Sequence, residues 1–260
     1  MSEPFIQFRH VRKAFGPKVV FSDLTLDVFR RETITILGAS GSGKSVMLKM
    51  LIGLLPADGG EILFGGRDVV RMREEELTDV RRRVAYLFQG GALFDSLSVG
   101  DNVAYGLREQ FWKSMTEQQI QARVEESLAM VGLPGIEAMQ PSDLSGGMKK
   151  RVGLARTLAL HPEVILYDEP TTGLDPVNTA RIGHLMKSIQ RSLELTSVVV
   201  THDMGTAFDV SDRLVMIGHG RVLFVGSKEE FKSTENAAVR DFIEGRAPER
   251  EDVAVLLAPP

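Results

Sequence analysis

Residues 33–55 read TITILGASGSGKSVMLKMLIGLL. The β-rich run at residues 33–37 predicts a strand, and the apolar run at residues 45–55 predicts a helix. Between them, GASGSGKS at residues 38–45 matches the pattern G-x-x-x-x-G-K-[ST], in the strand–loop–helix context that this motif requires. The sequence therefore predicts a phosphate-binding loop in an α/β fold.

The eight residues of this loop have the chemistry to bind nucleotide phosphates. Glycines let backbone N–H groups turn inward around phosphate oxygens, and the positive end of the following helix faces the same anion. Lys44 is predicted to reach the β- and γ-phosphates, and Ser45 to offer its hydroxyl to Mg²⁺. The alternative is an ordinary Gly-Ser loop, which matches by chance in roughly one chain of this length in a hundred. The predicted phosphate-binding residues are Gly38, Ser40, Gly41, Ser42, Gly43, Lys44 and Ser45.

An apolar run that ends in two acids, VILYDE at residues 164–169, predicts the second half of a nucleotide site. Asp168, at the end of the predicted strand, is placed to hold the Mg²⁺ shell. Glu169 is the candidate base that orients or deprotonates the attacking water. The alternative is an acid that merely caps a strand, and the phosphate loop argues against it.

The composition limits the class of protein. The chain has 260 residues, of which 43% are hydrophobic and 25% charged, and this excludes a disordered or fibrous chain. The net charge of −4 supplies no overall basic field for nucleic acid. The chain has no cysteine, so disulfides and cysteine nucleophiles are excluded. We expect neither a signal peptide nor a membrane-spanning stretch, so work at a membrane would require docking to an embedded partner.

The rest of the chain predicts an α/β core interrupted by a helical insert. Strands are predicted at residues 5–15, 20–28, 33–37, 61–64, 84–88, 164–167, 197–201, 214–217 and 221–225, and helices at 45–55, 73–83 and 237–244. The predicted organisation is one domain over residues 1–245, with its core at 1–89 and 161–245, an insert at 90–160 and a tail at 246–260.

Residues 144–148 read LSGGM, and together with the phosphate loop and the acidic strand end they resemble the ATP-binding subunits of ABC transporters. The resemblance covers nearly the whole chain. It implies an α/β P-loop NTPase core of the ABC type, with an antiparallel β subdomain and a helical insert. It also implies that Ser145, Gly146 and Gly147 close on the γ-phosphate held by a second subunit. Met148 stands where the family usually has Gln, and it cannot supply that side-chain amide.

Four more positions resemble family motifs. Gln89, after the predicted strand at 84–88, resembles the glutamine that touches Mg²⁺ or the attacking water and couples the core to the insert. His202 resembles the switch histidine at the γ-phosphate, and Asp175 resembles the end of the loop that crosses the dimer interface. Phe15 lies where an aromatic ring, usually Tyr, stacks on adenine. On their own, His202 would be a structural histidine and Phe15 a core residue at a strand end.

Two basic runs have no predicted part in the site. They are RRR at residues 81–83 and KKR at residues 149–151. We interpret both as solvated helix faces.

The resemblance implies ATP hydrolysis with Mg²⁺ by a homodimer. In the family, each ATP lies between the phosphate loop of one copy and the signature of the other, so one chain cannot complete a site. The pair is then head-to-tail with two-fold symmetry. Binding of two ATP closes the pair and hydrolysis opens it, and this motion passes to membrane permease subunits through Gln89 and the insert.

Several strings are similar to the ATPases of Mla-type lipid transporters. They are GKSVMLK at residues 43–49, QGGALFDSLSV at 89–99, LSGGM at 144–148 and YDEPTTGLDP at 167–176. This similarity implies a permease, an MCE-domain protein and a small STAS-domain protein as partners. It implies a peripheral location at the cytoplasmic face of the bacterial inner membrane and phospholipid transport between the inner and outer membranes. The pair Gly90-Gly91 departs from the subgroup, which often has a bulkier first residue there.

Two other functions stay open. An ABC ATPase that serves a different solute would be distinguished by the permease that co-purifies with it. A soluble ABC protein acting on DNA or ribosomes usually has two ATPase modules or a long coiled-coil insert, and this chain has neither. Because the chain has a net charge of −4, we expect no nucleic-acid partner. Glu169 argues against a non-enzymatic nucleotide switch.

The end of the chain carries an apolar run, VAVLL at residues 253–257, after a charged segment at 246–252. The predicted core is complete near residue 245, so this run has no evident place in it. We hypothesise that it packs on a second copy of the chain or on a small regulatory subunit. The alternative is a disordered terminus.

Overall fold

The computed structural model describes residues 3–111 and 113–246. Its strands are β1 Ile6–Phe15, β2 Lys18–Val28, β3 Thr33–Leu37, β4 Gly59–Phe64, β5 Arg67–Asp68, β6 Val84–Leu87, β7 Val164–Asp168, β8 Thr196–Val200, β9 Arg213–Gly218 and β10 Arg221–Gly226. Its helices are α1 Lys44–Leu51, α2 Glu74–Arg83, α3 Val99–Phe111, α4 Glu117–Met130, α5 Gly146–Leu158, α6 Pro176–Leu193, α7 Met204–Val210, α8 Lys228–Ser233 and α9 Ala237–Glu244. None of the described helices has the length and apolar character needed to cross a bilayer.

The strands form one sheet in the order β5-β4-β1-β2-β10-β9-β3-β8-β7-β6. On one side, β6, β7, β8, β3 and β9 run parallel to one another. On the other side, β1 pairs antiparallel with both β2 and β4. This confirms the predicted α/β core with an antiparallel β subdomain.

The parallel side of the sheet brings the predicted site residues to one edge. The phosphate loop follows β3, Gln89 comes shortly after β6, Glu169 follows β7, and His202 comes shortly after β8. Parallel strands end at the same edge, and ligands of open α/β sheets bind there. Segments that are far apart in sequence therefore meet at one place.

Burial explains why these strands form. β3, β6, β7 and β8 are buried along their whole lengths, as expected for apolar strands covered on both faces. One core cluster joins the antiparallel strands to α1, and a second joins α3, α4 and α5 to β7 and α6. A third, smaller cluster lies under the C-terminal helices α8 and α9.

The observed elements differ from the predicted ones in several places. The helix predicted at 45–55 ends at Leu51, close to Gly53, which has a φ of 66° that favours glycine. The 18-residue helix α6 was not predicted. The insert at 90–160 does contain α3, α4 and α5, but these share a core cluster with β7. The division between core and insert therefore stays a prediction.

The interpretation of the basic runs as solvated faces was wrong in part. Lys150 is 7% exposed, because its side chain turns inward to backbone carbonyls. Arg83 is only partly exposed, since it donates to the Glu163 carboxylate and its guanidinium lies 4.7 Å from the centre of the Phe64 ring. Both cations are held by specific contacts.

Candidate nucleotide site

The phosphate loop curls around the buried ammonium of Lys44, the first residue of α1. Lys44 is 7% exposed, and its Nζ donates hydrogen bonds to the carbonyl oxygens of Gly38 at 2.8 Å and Ala39 at 3.1 Å. Burial lowers the pKa of Lys44, and the nearby carboxylates, Glu169 above all, act in the opposite direction. A buried cation at the start of a helix suits an anionic ligand.

The backbone of the loop depends on glycine. Gly41 and Gly43 have φ values of 76° and 96°, a region that L side chains rarely adopt. A Cβ on Gly43 would also lie 2.5 Å from Cγ1 of Val20. Next to it, the buried Oγ of Ser42 has no hydrogen-bond partner among the described residues. Buried hydroxyls are normally satisfied, and a phosphate oxygen would satisfy this one.

Asp168 lies at the centre of a short chain of hydrogen bonds. The Ser45 hydroxyl donates to its Oδ1 at 2.7 Å, and the Tyr86 hydroxyl donates to its Oδ2 at 2.6 Å. The pKa of Tyr86 is raised, mainly by burial and also by the hydrogen bond to Asp168. The phenol therefore stays a neutral donor. The sequence did not point to Tyr86, because only the pairing of β6 with β7 brings it to Asp168.

Glu169 is held in a fixed position. Its φ is 50°, a conformation that costs a non-glycine residue about 1–3 kcal/mol and is concentrated at functional sites. Its carboxylate accepts hydrogen bonds from the hydroxyls of Thr172 at 3.0 Å and Thr201 at 3.3 Å. Nδ1 of His202 lies 2.9 Å from Oε2, and Nζ of Lys44 lies 3.9 Å from Oε1. The two threonines were missed by sequence reasoning, since nothing local marks them.

These groups surround a cleft of about 820 Å³. Of the predicted site residues, the cleft is lined by Phe15, Ser40, Gly41, Gly43, Lys44, Ser45, Gln89, Glu169 and His202. Phe15 is 46% exposed at its edge, so it is not the core residue of the alternative interpretation. The structure thus brings together residues from the ends of β1, β3, β6, β7 and β8.

The LSGGM segment lies outside this cleft. Ser145 is exposed at the start of α5, and its Oγ accepts the backbone N–H of Met148 at 3.3 Å as an N-cap. Gly146 is exposed, and Gly147 packs beside the Asn178 side chain. Asp175 also lies away from the cleft, where it caps α6 by accepting the backbone N–H of Asn178 at 2.9 Å. The signature residues therefore do not complete the site within one chain.

Comparison with known proteins decides the family. Residues 21–172 match the ABC transporter domain. The chain belongs to the ABC transporter ATP-binding family. As a member of this family it is an ATPase. It is similar to the intermembrane phospholipid transport system ATP-binding protein MlaF of Haemophilus influenzae, with 38% identity over 95% of this chain and 93% of that protein. It is also 42% identical, over 93% of this chain and 69% of the relative, to a probable ribonucleotide transport ATP-binding protein of Mycobacterium leprae.

Solved structures agree with this assignment. A dimeric bacterial ABC transporter cassette has a TM-score of 0.79 and 31% identity, covering 85% of this chain and 98% of that one. A dimeric cassette in a post-hydrolysis state with ADP and phosphate has a TM-score of 0.78 and 30% identity over the same shares. The ABC-type fold implied by the sequence resemblance is confirmed.

The cleft has one wall that the sequence did not predict. Phe242 lies on the C-terminal helix α9, about forty residues after His202, and it lines the cleft together with Met204, Lys18 and Val20. Its other side packs on the core cluster beneath α8 and α9. The amphipathic pattern of α9 predicts that Phe242 is partly buried, but nothing in the sequence predicts a neighbouring nucleotide cleft.

We expect Phe242→Ala to raise the KM for ATP about 3- to 10-fold with little change in kcat. An aromatic contact contributes about 0.5–1.5 kcal/mol beyond its buried area, and Phe242 is not among the residues that bond to the Glu169 carboxylate. The measurement is steady-state ATPase kinetics. Ile243→Ala is the matched control, because Ile243 packs on the same cluster but does not line the cleft. Equal changes in both variants would contradict a direct role for Phe242.

Proposed function

We propose that this chain is the ATPase subunit of a transporter that moves phospholipid between the bacterial inner and outer membranes. The observation that carries this proposal is the end-to-end match to MlaF. Besides the Haemophilus influenzae relative described above, the Escherichia coli MlaF is 36% identical to this chain, over 93% of this chain and 89% of that protein. A chloroplast protein of Arabidopsis thaliana, TRIGALACTOSYLDIACYLGLYCEROL 3, is 38% identical over 94% of this chain.

A ribonucleotide or sulfate transporter is the second candidate, because relatives with those names are 42% identical to this chain. The chain spans only 69% and 62% of those two proteins. The match to MlaF over 93% of that protein supports the phospholipid function.

Within the cleft, each residue has a proposed task in hydrolysis. The loop N–H groups and Lys44 bind the phosphates, with Lys44 exchanging its carbonyl partners for phosphate oxygens. Glu169 orients the attacking water and accepts its proton. His202, now paired with that carboxylate, turns to the γ-phosphate, and Gln89 reaches toward the attacking water from the other side. Phe15 stacks on adenine.

Ser45, Asp168 and Gln89 are the residues that would hold Mg²⁺. Hard oxygen donors suit this ion, and the Ser45 hydroxyl and Asp168 carboxylate already lie in contact. Among residues 3–111 and 113–246, no group of three or more His, Cys, Asp or Glu is placed to hold a metal ion. When bound, the ion neutralises charge on the β- and γ-phosphates.

We propose that two copies form the working unit, with Ser145, Gly146, Gly147 and Asp175 of one copy meeting the nucleotide of the other. Ser145 and Gly146 are exposed outside the cleft, which supports this arrangement, as do the dimeric cassettes of similar fold. A head-to-tail pair then closes with two-fold symmetry.

Exposed aromatic side chains on the segment after β6 and on α3 support docking of a membrane permease. Phe88, Phe94 and Tyr105 are each about two-fifths exposed, and the Phe94 and Tyr105 rings lie 4.7 Å apart. Exposed apolar side chains that lie together on a surface often mark interaction sites. The MCE-domain and STAS-domain partners, and a peripheral position at the cytoplasmic face of the inner membrane, follow from the proposed function. The apolar run at 253–257 lies outside the described residues, and its docking stays a hypothesis.

Co-purification tests the proposal. A tagged chain isolated from detergent-solubilised membranes of its host is expected to bring down a permease and an MCE-domain protein, identified by mass spectrometry. In reconstituted vesicles, phospholipid transfer by this complex should require ATP. Recovery of a sulfate or ribonucleotide permease instead, or transfer that is indifferent to ATP, would contradict the phospholipid function.

A further inference from the structure

Helix α5 links the exposed signature to the interior of its own site. It begins at the Ser145 cap, on the surface outside the cleft. Further along, its body is buried against the loop that follows β6 and the loop that follows β7. These two loops follow Gln89 and Glu169. One rigid helix therefore touches the surroundings of both candidate catalytic residues.

Lys150 makes the contact with the loop after β7. Its Nζ donates to the carbonyl oxygens of Pro170 at 2.9 Å and Thr172 at 2.6 Å. The hydroxyl of Thr172 in turn donates to Glu169 at 3.0 Å. Lys150 is 7% exposed, and burial lowers the pKa of its ammonium. A buried charge is retained only where its hydrogen bonds are satisfied, and here the two carbonyls satisfy it.

Arg156 makes the contact on the other side of α5. Its guanidinium donates to the carbonyl oxygens of Gly91 at 2.9 Å and Ala92 at 2.8 Å. The backbones also approach closely, since a Cβ on Gly153 would lie 3.0 Å from the Cα of Gly91. The loop after Gln89 is therefore fixed to α5 by these contacts, and Lys150 completes the link to Glu169.

We propose that Lys150 is a positioning residue that couples the signature helix of each copy to that copy's own Glu169. The inference rests on the proposed two-copy site. When the signature at the start of α5 engages the partner's nucleotide, α5 is held in one position. Through its two hydrogen bonds, Lys150 then fixes Pro170 and Thr172 relative to α5, and the Thr172 hydroxyl orients the Glu169 carboxylate. Binding of ATP between the two copies at one site therefore positions Glu169 at the other site.

The test compares two adjacent lysines in the assembled transporter, Lys150→Met and Lys149→Met. For Lys150→Met we expect kcat to fall roughly 10- to 100-fold, the cost of a small misplacement of a catalytic group, with the KM for ATP unchanged. The Hill coefficient for ATP should fall from about 2 toward about 1, because coupling between two sites is lost. Lys149→Met should match the wild type in kcat, in the KM for ATP and in the Hill coefficient.

Two further measurements separate positioning from general stability. Lys150→Arg, which keeps the charge and the donors, should recover most of kcat and the Hill coefficient. Binding of a fluorescent ATP analogue to Lys150→Met should be unchanged. If Lys150→Met assembles poorly, the comparison is made with Lys150→Gln. A raised KM, or an unchanged Hill coefficient in folded variants, would overturn the proposal. An inactive wild-type complex would instead count against the proposed function.

Discussion

Lys44→Ala is expected to abolish ATP hydrolysis and to weaken ATP binding by at least about 100-fold. Lys44 is the buried cation at the centre of the phosphate loop, and removing one partner of a buried charge pair costs about 3–5 kcal/mol. The measurements are binding of a fluorescent ATP analogue and steady-state turnover in the presence of the partner subunits.

Lys49→Ala is the control for this variant, because Lys49 lies in the last turn of the same helix and outside the cleft. It should bind and hydrolyse ATP as the wild type does. Near-normal turnover by Lys44→Ala would refute the assignment of the phosphate loop.

Glu169→Gln is expected to keep ATP binding while turnover falls by about 10²- to 10⁴-fold, the range that general-base catalysis contributes. The amide retains an oxygen that accepts from Thr172 and Thr201, so the local structure should persist. With Mg-ATP, the variant should accumulate as a closed pair, which light scattering coupled to size-exclusion chromatography detects as a doubled mass.

Glu163→Gln is the matched control, since Glu163 lies just before the same strand but pairs with Arg83 and Arg30 away from the cleft. It should turn over ATP normally and form no stable pair. Persistent hydrolysis by Glu169→Gln, with no association on ATP, would show that another group is the base.

The sequence predicted those parts of the site that local patterns specify. The phosphate loop needs glycines at fixed spacing, and Glu169 follows a wholly apolar strand, so both are visible without a structure. Strands at 164–167 and 197–201 were also predicted from their apolar runs, and the structure has β7 and β8 there.

Contacts made by the fold itself could not be predicted in this way. Tyr86 reaches Asp168 only because β6 pairs with β7, and Phe242 reaches the cleft only because α9 folds back onto the third core cluster. Lys150 is different, since it lies three residues after the buried Gly147 and four before Leu154, on the inner face of α5. Helical periodicity therefore held a signal that the run of three basic residues obscured.

A heterodimer experiment tests most directly the claim that each site combines the phosphate loop of one copy with the signature of the other. Copies carrying Lys44→Ala and copies carrying Gly146→Asp are co-expressed with different affinity tags, and the mixed pair is isolated. Gly146 is a suitable site because a Cβ there meets no atom within 4 Å and an acid is tolerated at a helix N-terminus, while its charge would repel the γ-phosphate. Each variant alone should be inactive. In the mixed pair, one site has both lesions and the other has none, so single-turnover hydrolysis of one ATP per pair is predicted. Its rate should be below that of the wild type, because the copy with the intact loop has no engaged signature, and no hydrolysis by the mixed pair would contradict the account.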